Sequence, residues 1–255
     1  MKKTIIALCA LSSVSMGATL AEIDTEDPNL KAYWNFDSSS ALTAGSITWS
    51  ELPTWNSAGY GDSLTTGTHP YTTNAGLKAA DGFTVSFDIN NAQNGTLLSM
   101  TNGSMSQAWR SISITLNNNV ISAQFLGVPT TAVTQTLSTE QLTSEWTTLT
   151  LVGSVSPTAA STLILDFYVN GLHKGTSTTA NATNITGNNA INNMQFGYFG
   201  GAANGAPTNY DNILIYNRAL TASEVKELTV PEPTTATLSL LALAGLAVRR
   251  RRASR

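Results

Sequence analysis

Gly82-Phe83-Thr84-Val85-Ser86-Phe87-Asp88-Ile89 alternates apolar and polar residues without a break, so Phe83, Val85, Phe87 and Ile89 share one face of an extended segment. Such a segment is a strand with one buried face and one wet face. Ser111 to Leu116 repeats the pattern with Ile112, Ile114 and Leu116 inward, and Asn117-Asn118-Asn119 turns the chain into Val120 to Leu126. Thr147 to Val152 and Thr162 to Val169 read as two more strands. Asn170-Gly171, which follows, is a hairpin signal because both turn positions tolerate positive φ. Met194 to Phe199 and Asn209 to Tyr216 complete the set. Short strands, Gly and Asn turns and almost no helix predict an all-β protein, an antiparallel β-sandwich or jelly roll.

One short C-terminal helix is expected. Thr221-Ala222-Ser223-Glu224 is a capping box ahead of Val225 and Leu228, which predicts about two turns after the last strand. Trp34 and Trp146 head strands and read as core. Ser50 to Asn74 has little periodicity and reads as long loops, with one strand near Ile47 and with aromatic residues between glycines.

The two ends carry a different message. Lys2 and Lys3 precede the apolar stretch Ile5 to Leu11 and small residues up to Ala21, the layout of a signal peptide cleaved by signal peptidase after Ala21. Cys9, the single cysteine, lies inside it, so the exported body uses no disulfide. At the other end Val230-Pro231-Glu232-Pro233 precedes 13 uncharged residues, Ala236 to Val248, and then Arg249-Arg250-Arg251-Arg252. At 1.5 Å per residue that apolar helix reaches roughly 20 Å against a hydrocarbon core of about 30 Å, so it spans a membrane only with help from snorkelling arginines. The arginines stay on the cytoplasmic side and place the preceding domain outside. The expected organisation is a signal peptide over 1–21, a β domain over 22–229 and a separate hydrophobic tail over 230–255.

Subtracting the ends changes the charge. Of 13 Lys and Arg, two lie in the signal peptide and five in the tail, leaving six; of 16 Asp and Glu only Glu232 is lost, leaving 15, so the body stands near −9 while the whole chain is −3. An acidic domain with no basic stripe argues against nucleic acid as a partner. Thr, Ser, Asn and Gly dominate it, as in secreted β proteins whose sheets and turns are covered by hydroxyl and amide groups.

Pro231-Glu232-Pro233, the short apolar helix and the terminal arginine cluster resemble the PEP-CTERM sorting signal of Gram-negative bacteria. That resemblance implies processing by an exosortase, an inner-membrane intermediate and a final place at the cell surface or in extracellular matrix. A second resemblance covers about Asn29 to Leu228. Asn29-Leu30-Lys31-Ala32-Tyr33-Trp34-Asn35-Phe36-Asp37 and Tyr210-Asp211-Asn212-Ile213-Leu214-Ile215-Tyr216-Asn217-Arg218-Ala219-Leu220-Thr221 are similar to the first and last strands of LamG-like, concanavalin A-type jelly rolls, and Phe167-Tyr168-Val169-Asn170-Gly171 to their central hairpin. In such a fold the first and last strands are neighbours, so Trp34 and Phe36 should pack near Ile213 and Ile215.

The fold family implied by that resemblance contains glycanases as well as binding modules, and retaining glycosidases need two carboxyls about 5–5.5 Å apart. The Glu-x-Asp-x-x-Glu strand motif of its glucanases is missing, and Asp88 and Asp166 each sit alone in the sequence, so no catalytic residue is assigned and no enzyme is expected. His69 and His173 have no carboxylate or serine at motif spacing; His173 reads as a solvent-facing strand residue. Two imidazoles without thiols do not suggest zinc. The resemblance implies a structural calcium ion, for which Asp37 and Asp211 are the matching acidic positions, against the plainer reading that both bond nearby amides. Asp62 and Asp81 flank glycines and read as turn residues. For a sugar ligand, Trp55, Tyr60, Tyr71 and Trp109 lie in or beside polar loops and offer stacking faces, against the plainer reading that they are partly buried under a long loop.

Three functions follow in order: a non-catalytic surface module that binds glycan or another extracellular polymer, with extracellular polysaccharide as its partner; a structural or adhesive component that contacts protein; and a glycoside hydrolase-like enzyme of the same fold.

Overall fold

In the computed structural model, which describes residues 23–36, 44–48, 54–55, 61–62, 71–72, 75–90, 92–101, 111–126, 132–138, 146–179, 190–197 and 209–229, the alternating segments pair into two antiparallel sheets around a shared apolar core. In chain order the strands are β1 (Leu30–Trp34), β2 (Ala44–Gly45), β3 (Thr54–Trp55), β4 (Gly61–Asp62), β5 (Tyr71–Thr72), β6 (Phe83–Asn90), β7 (Gly95–Thr101), β8 (Ser111–Asn117), β9 (Val120–Leu126), β10 (Ala132–Ser138), β11 (Thr147–Ser156), β12 (Ala159–Val169), β13 (Leu172–Thr179), β14 (Asn193–Phe196) and β15 (Asn209–Tyr216). The first sheet has the order β13-β12-β11-β6-β15-β1-β2, with β4 added to β15 and β3 to β4; the second runs β10-β9-β8-β7-β14-β5.

The expected closure is present. β1 lies antiparallel to β15 with Trp34 opposite Ile213, and Trp34, Phe36, Ile213 and Ile215 all belong to the core. Phe87 and Tyr210 from the first sheet meet Phe196 from the second, with ring centroids 5.7–5.8 Å apart. Such pairs add about 0.5–1.5 kcal/mol each beyond their area. Tyr210 also ties the sheets together through its hydroxyl, which donates to the Leu97 carbonyl at 2.8 Å, and burial pushes its ionisation far above the ordinary phenol range. Opposite Phe83 stands Gly153, where an added Cβ would meet the Phe83 ring at 2.1 Å. The ring fills the space a side chain would need.

The turns obey their sequences. Asn118 and Asn119 take φ of 48° and 65°, and Asn170 and Gly171 take 49° and 70°, the doubly positive geometry that matches strand twist in a two-residue hairpin. The capped helix spans Ala222–Glu227 with Leu228 as its C-cap and both halves of the capping box formed.

Several expectations need correction. β7 and β10 were not foreseen, and β11 and β12 extend beyond the predicted 147–152 and 162–169. In β7, Leu97 and Leu98 are both fully buried because a bulge between Thr96 and Leu98 breaks the alternation. The region 50–74 contributes three two-residue strands rather than loops alone, and the strand expected near Ile47 is Ala44–Gly45. Asp62 is a strand position paired with Asn209 and Thr54, not a turn residue. Trp34 is core but closes its strand, while Trp146 is half-buried and precedes β11.

The outer face of the first sheet is largely covered. Val152, Tyr168, Leu214, Tyr216, Leu220 and Val225 are buried yet stand apart from the central core, and Thr84 accepts from the Leu220 amide while donating to the Arg218 carbonyl. Alternation puts Leu214 and Tyr216 on the face opposite Ile213 and Ile215, so the segment carrying the helix folds back over that face. Arg218 pins it, pairing with Asp27 at 3.2 Å and Glu224 at 2.8 Å. Among the described residues no helix is long and apolar enough to cross a membrane; the run 236–248 lies outside them.

Candidate functional site

Strands β6, β11 and β15 of the first sheet and its β3–β4 ribbon meet at one rim. In register, Asn209 stands between Asn90 and Asp62, and Tyr210 between Ile89 and Gly61. Trp55 pairs with Gly61, so the backbone brings the Trp55 position to this rim.

A polar chain crosses the outer face just inside the rim. Thr148 donates to Asp88 Oδ1 at 2.6 Å, and Asn212 Nδ2 donates to Asp88 Oδ2 at 2.8 Å. Tyr33 donates to Asn212 Oδ1 at 3.4 Å, and the Asn212 amide donates to Asp211 Oδ1 at 2.8 Å. Asn170 Oδ1 accepts from the Thr148 amide at 2.9 Å. Asn212 can serve both carboxylates because it sits at φ 47° in the irregularity between Asp211 and Leu214, a left-handed conformation that asparagine tolerates.

Asp88 and Asp211 are directly opposite across β6 and β15 and only 2 % and 8 % exposed. Burial pushes the Asp88 carboxyl up to about 6, and the hydrogen bonds from Thr148 and Asn212 work against that rise. Asp88 is thus not alone, as its sequence context suggested. The two residues are register partners, and both Asp88 oxygens and Asp211 Oδ1 accept hydrogen bonds from within the sheet.

Asp166 is not alone either. It accepts from Thr176, and His173 Nε2 lies 3.1 Å from Asp166 Oδ1 and 3.2 Å from Thr176 Oγ1. The same ring nitrogen faces both partners, so the ring cannot pass a proton between them as a hydrolase triad requires. His173 is exposed, as expected of a solvent-facing strand residue, and stacks edge-on with Tyr168 at 5.1 Å.

The sequence-predicted residues divide. Asp211 lies at the rim, where its Oδ1 accepts from the Asn212 amide. Asp37, Tyr60, Trp109 and His69 lie outside the described residues, as do Pro231, Glu232, Pro233, Arg249, Arg250, Arg251 and Arg252 of the sorting signal. Tyr71 pairs with Gln195 in the second sheet, so its backbone is on a different sheet from Trp55. Tyr33, Thr148 and Asn212 were missed, and only long-range register links them to Asp88. Oxygen donors of this kind suit calcium in type, but calcium takes 6–8 of them. Among the described residues no group of three acidic, histidine or cysteine ligands gathers, and both Asp88 oxygens are already engaged. The described part of the rim does not by itself make a calcium cage.

The comparisons with known proteins fit this architecture. The family model of the concanavalin A-like lectin/glucanases superfamily matches residues 62–226, and the chain belongs to that superfamily. The model of the PEP-CTERM protein-sorting motif matches residues 229–252. A search of curated proteins finds no match. Among solved structures, the receptor-binding domain of botulinum neurotoxin type G superposes with a TM-score of 0.53 at 15 % identity, covering 78 % of this chain and 50 % of that one. This chain therefore spans about half the length of that neurotoxin domain. Domain 4 of AbnA, a GH43 extracellular arabinanase from Geobacillus stearothermophilus solved with arabinotriose, superposes with a TM-score of 0.50 at 20 % identity over 79 % of this chain and 98 % of that one. At these identities the likeness shows the fold alone.

Proposed function

We propose that the chain is an exported, surface or extracellular-matrix module of a Gram-negative bacterium that binds glycan or a similar extracellular polymer and catalyses no reaction. The observation that carries the non-catalytic half is the Asp88–Asp211 pair, buried and hydrogen-bonded into its own strands. The binding half is supported by membership of a lectin and glucanase superfamily and by a structural neighbour solved with a bound arabinose oligomer. Trp55, whose backbone reaches the rim, and Tyr60 are its stacking residues in this reading, with Tyr71 and Trp109 as further contacts. A signal peptide over 1–21 starts export. The sorting motif supports handling of the tail by an exosortase-type enzyme, with the apolar run 236–248 inserted in the membrane at least until processing.

The test is a glycan array and a pull-down on secreted polysaccharide, with folded protein and calcium present. No binding to any glycan would sink the proposal, and self-association or protein capture instead would favour the adhesive reading. Where binding is found, Trp55→Ala with Tyr60→Ala should weaken it at least about tenfold, close to 1.4 kcal/mol. A structural calcium at Asp37 and Asp211 remains part of the proposal. Its check is the melting temperature of dialysed protein with and without added calcium, which should rise with the ion and fall back on chelation.

A further inference from the structure

The β12–β13 hairpin carries three donor atoms that converge without forming a proton relay. His173 Nε2 lies 3.1 Å from Asp166 Oδ1 and 3.2 Å from Thr176 Oγ1, and Thr176 Oγ1 in turn donates to Asp166 Oδ1. An imidazole nitrogen, a carboxylate oxygen and a hydroxyl oxygen thus mark the corners of one small triangle.

A regular strand would not build it. Residues three apart, such as His173 and Thr176, point to opposite faces of a sheet when the alternation is unbroken. Here Asp166 pairs with Thr176, Phe167 with Gly175 and Tyr168 with His173, so two residue steps on β13 match one on β12. Lys174 is the extra residue of that bulge, and the slip carries His173 onto the face of Thr176 and Asp166. Bulges that re-aim a side chain in this way gather beside functional sites. The imidazole is steadied from the side by the Tyr168 ring, edge-on with centroids 5.1 Å apart.

The triangle has the dimensions of a coordination face. First-row metal ions bind nitrogen and oxygen at about 2.0–2.2 Å, which sets neighbouring donors about 2.9–3.4 Å apart in octahedral or tetrahedral geometry. Both distances from His173 Nε2 fall in that range. The closer Thr176–Asp166 contact is a hydrogen bond that an incoming ion replaces. The imidazole selects copper(II), nickel or zinc over calcium or magnesium. The His173 and Asp166 side chains are 46 % and 31 % exposed, so an ion reaches them from solvent and keeps water in its remaining positions.

We propose that His173, Asp166 and Thr176 hold a first-row divalent metal ion such as copper(II) or zinc at the β13 edge of the first sheet, with water completing its shell. The Thr176 hydroxyl is the third donor, since His173 and Asp166 are the only histidine and acidic members. The site shares no residue with the stacking aromatics or with the calcium positions Asp37 and Asp211, so it stands or falls apart from the glycan reading.

Copper(II), the tightest binder of the divalent series, is the probe. Full-length, tag-free protein in mild detergent carries Cys9→Ser, which removes the single thiol. Calorimetric titration should find saturable binding, and the electron paramagnetic resonance spectrum should show coupling to an imidazole nitrogen. His173→Ala should weaken binding at least about tenfold and abolish that coupling. Asp166→Asn should weaken binding and keep the coupling, and His69→Ala, which removes the other imidazole, should change neither. Far-ultraviolet circular dichroism that matches the parent confines the losses to the site. Imidazole coupling that survives His173→Ala, or that His69→Ala removes, overturns the proposal, as does the lack of saturable binding to the parent.

Discussion

The two sheets turn similar chemistry outward and deal with it differently. On the first sheet Thr84, Ser86, Asp88, Thr148 and Thr150 are buried, and hydrogen bonds link them: Ser86 to Thr150 at 2.8 Å, Thr148 to Asp88, and Thr84 to the backbone at Arg218 and Leu220. On the second sheet Thr96, Ser99, Thr101, Ser113 and Gln195 are also buried and face away from Met100, Ile112, Ile114 and Met194. There Gln195 Oε1 is buried with no hydrogen-bond partner. A buried polar group is tolerable when satisfied and costs about 1–3 kcal/mol when it is not. These groups of the first face are bonded to one another or to backbone, whereas the second face keeps the Gln195 acceptor unpaired; Asn217 Oδ1, just beyond β15, is another buried acceptor without a partner.

The largest break in this contrast comes from the helix. Val225 is fully buried, and Val225→Asp forfeits its burial while placing a carboxylate against apolar surface, a loss of more than about 3 kcal/mol. Urea unfolding should show the midpoint falling accordingly. A midpoint unchanged from the parent would mean that the helix does not hold the first face closed.

Asp88→Asn tests whether that face is fully paid in hydrogen bonds but not in charge. The Asp88 carboxyl has a pKa of about 6 when folded against 3.8 unfolded, so the folded state holds its proton more tightly. Its contribution to stability is complete below the unfolded value and is lost as pH rises from about 4 through 6, a change of roughly 3 kcal/mol. Asparagine keeps both contacts, accepting from Asn212 and donating to a rotated Thr148 hydroxyl. The variant should be more stable than the parent at pH 8, with the difference shrinking towards pH 4. A parallel pH dependence in both proteins would show that Asp88 is not the titrating group.

On the second face Gln195→Met removes the unpaired acceptor at similar volume and should raise stability by about 1–2 kcal/mol. A drop in thermal midpoint instead would show that the Gln195 amide makes a contact that the fold needs.

How much of this was legible depended on whether the signal was local. β6, β8 and the Asn170-Gly171 turn carry period and turn chemistry in their own residues. β7 hides its identity because Leu97 and Leu98 are adjacent at a bulge, and two-residue strands such as Thr54–Trp55 are too short to show any period. Asp211 was noticed for its motif, yet nothing near Asp88 announces that the two carboxylates face each other. Their meeting is a product of register between strands more than a hundred residues apart in sequence. The aromatic residues chosen for stacking divide in the same way: Trp55 joins the first sheet and Tyr71 the second.

The smallest test concerns the fastening of the first face. Thr221 Oγ1 accepts from the Glu224 amide at 3.3 Å, and the Thr221 amide donates to Glu224 Oε2 at 2.7 Å. The same glutamate pairs with Arg218, which reaches on to Asp27. Thr221→Ala removes the side-chain half of the box and leaves the backbone half, so about 1 kcal/mol should be lost. Acid should undo the fastening in the opposite sense to Asp88. The Thr221 N–H, outweighing partial burial, together with Arg218, holds the Glu224 carboxyl below its ordinary range, and the Asn29 amide and Arg218 do the same for Asp27 against its burial. A depressed carboxyl stabilises above its unfolded pKa and loses that contribution as pH falls through its folded one. The penalty of Thr221→Ala should therefore be present at neutral pH and shrink below the carboxylate range, where the parent has lost part of the same network. A penalty that stayed constant into acid would mean that the threonine caps the helix without coupling to Glu224 and Arg218.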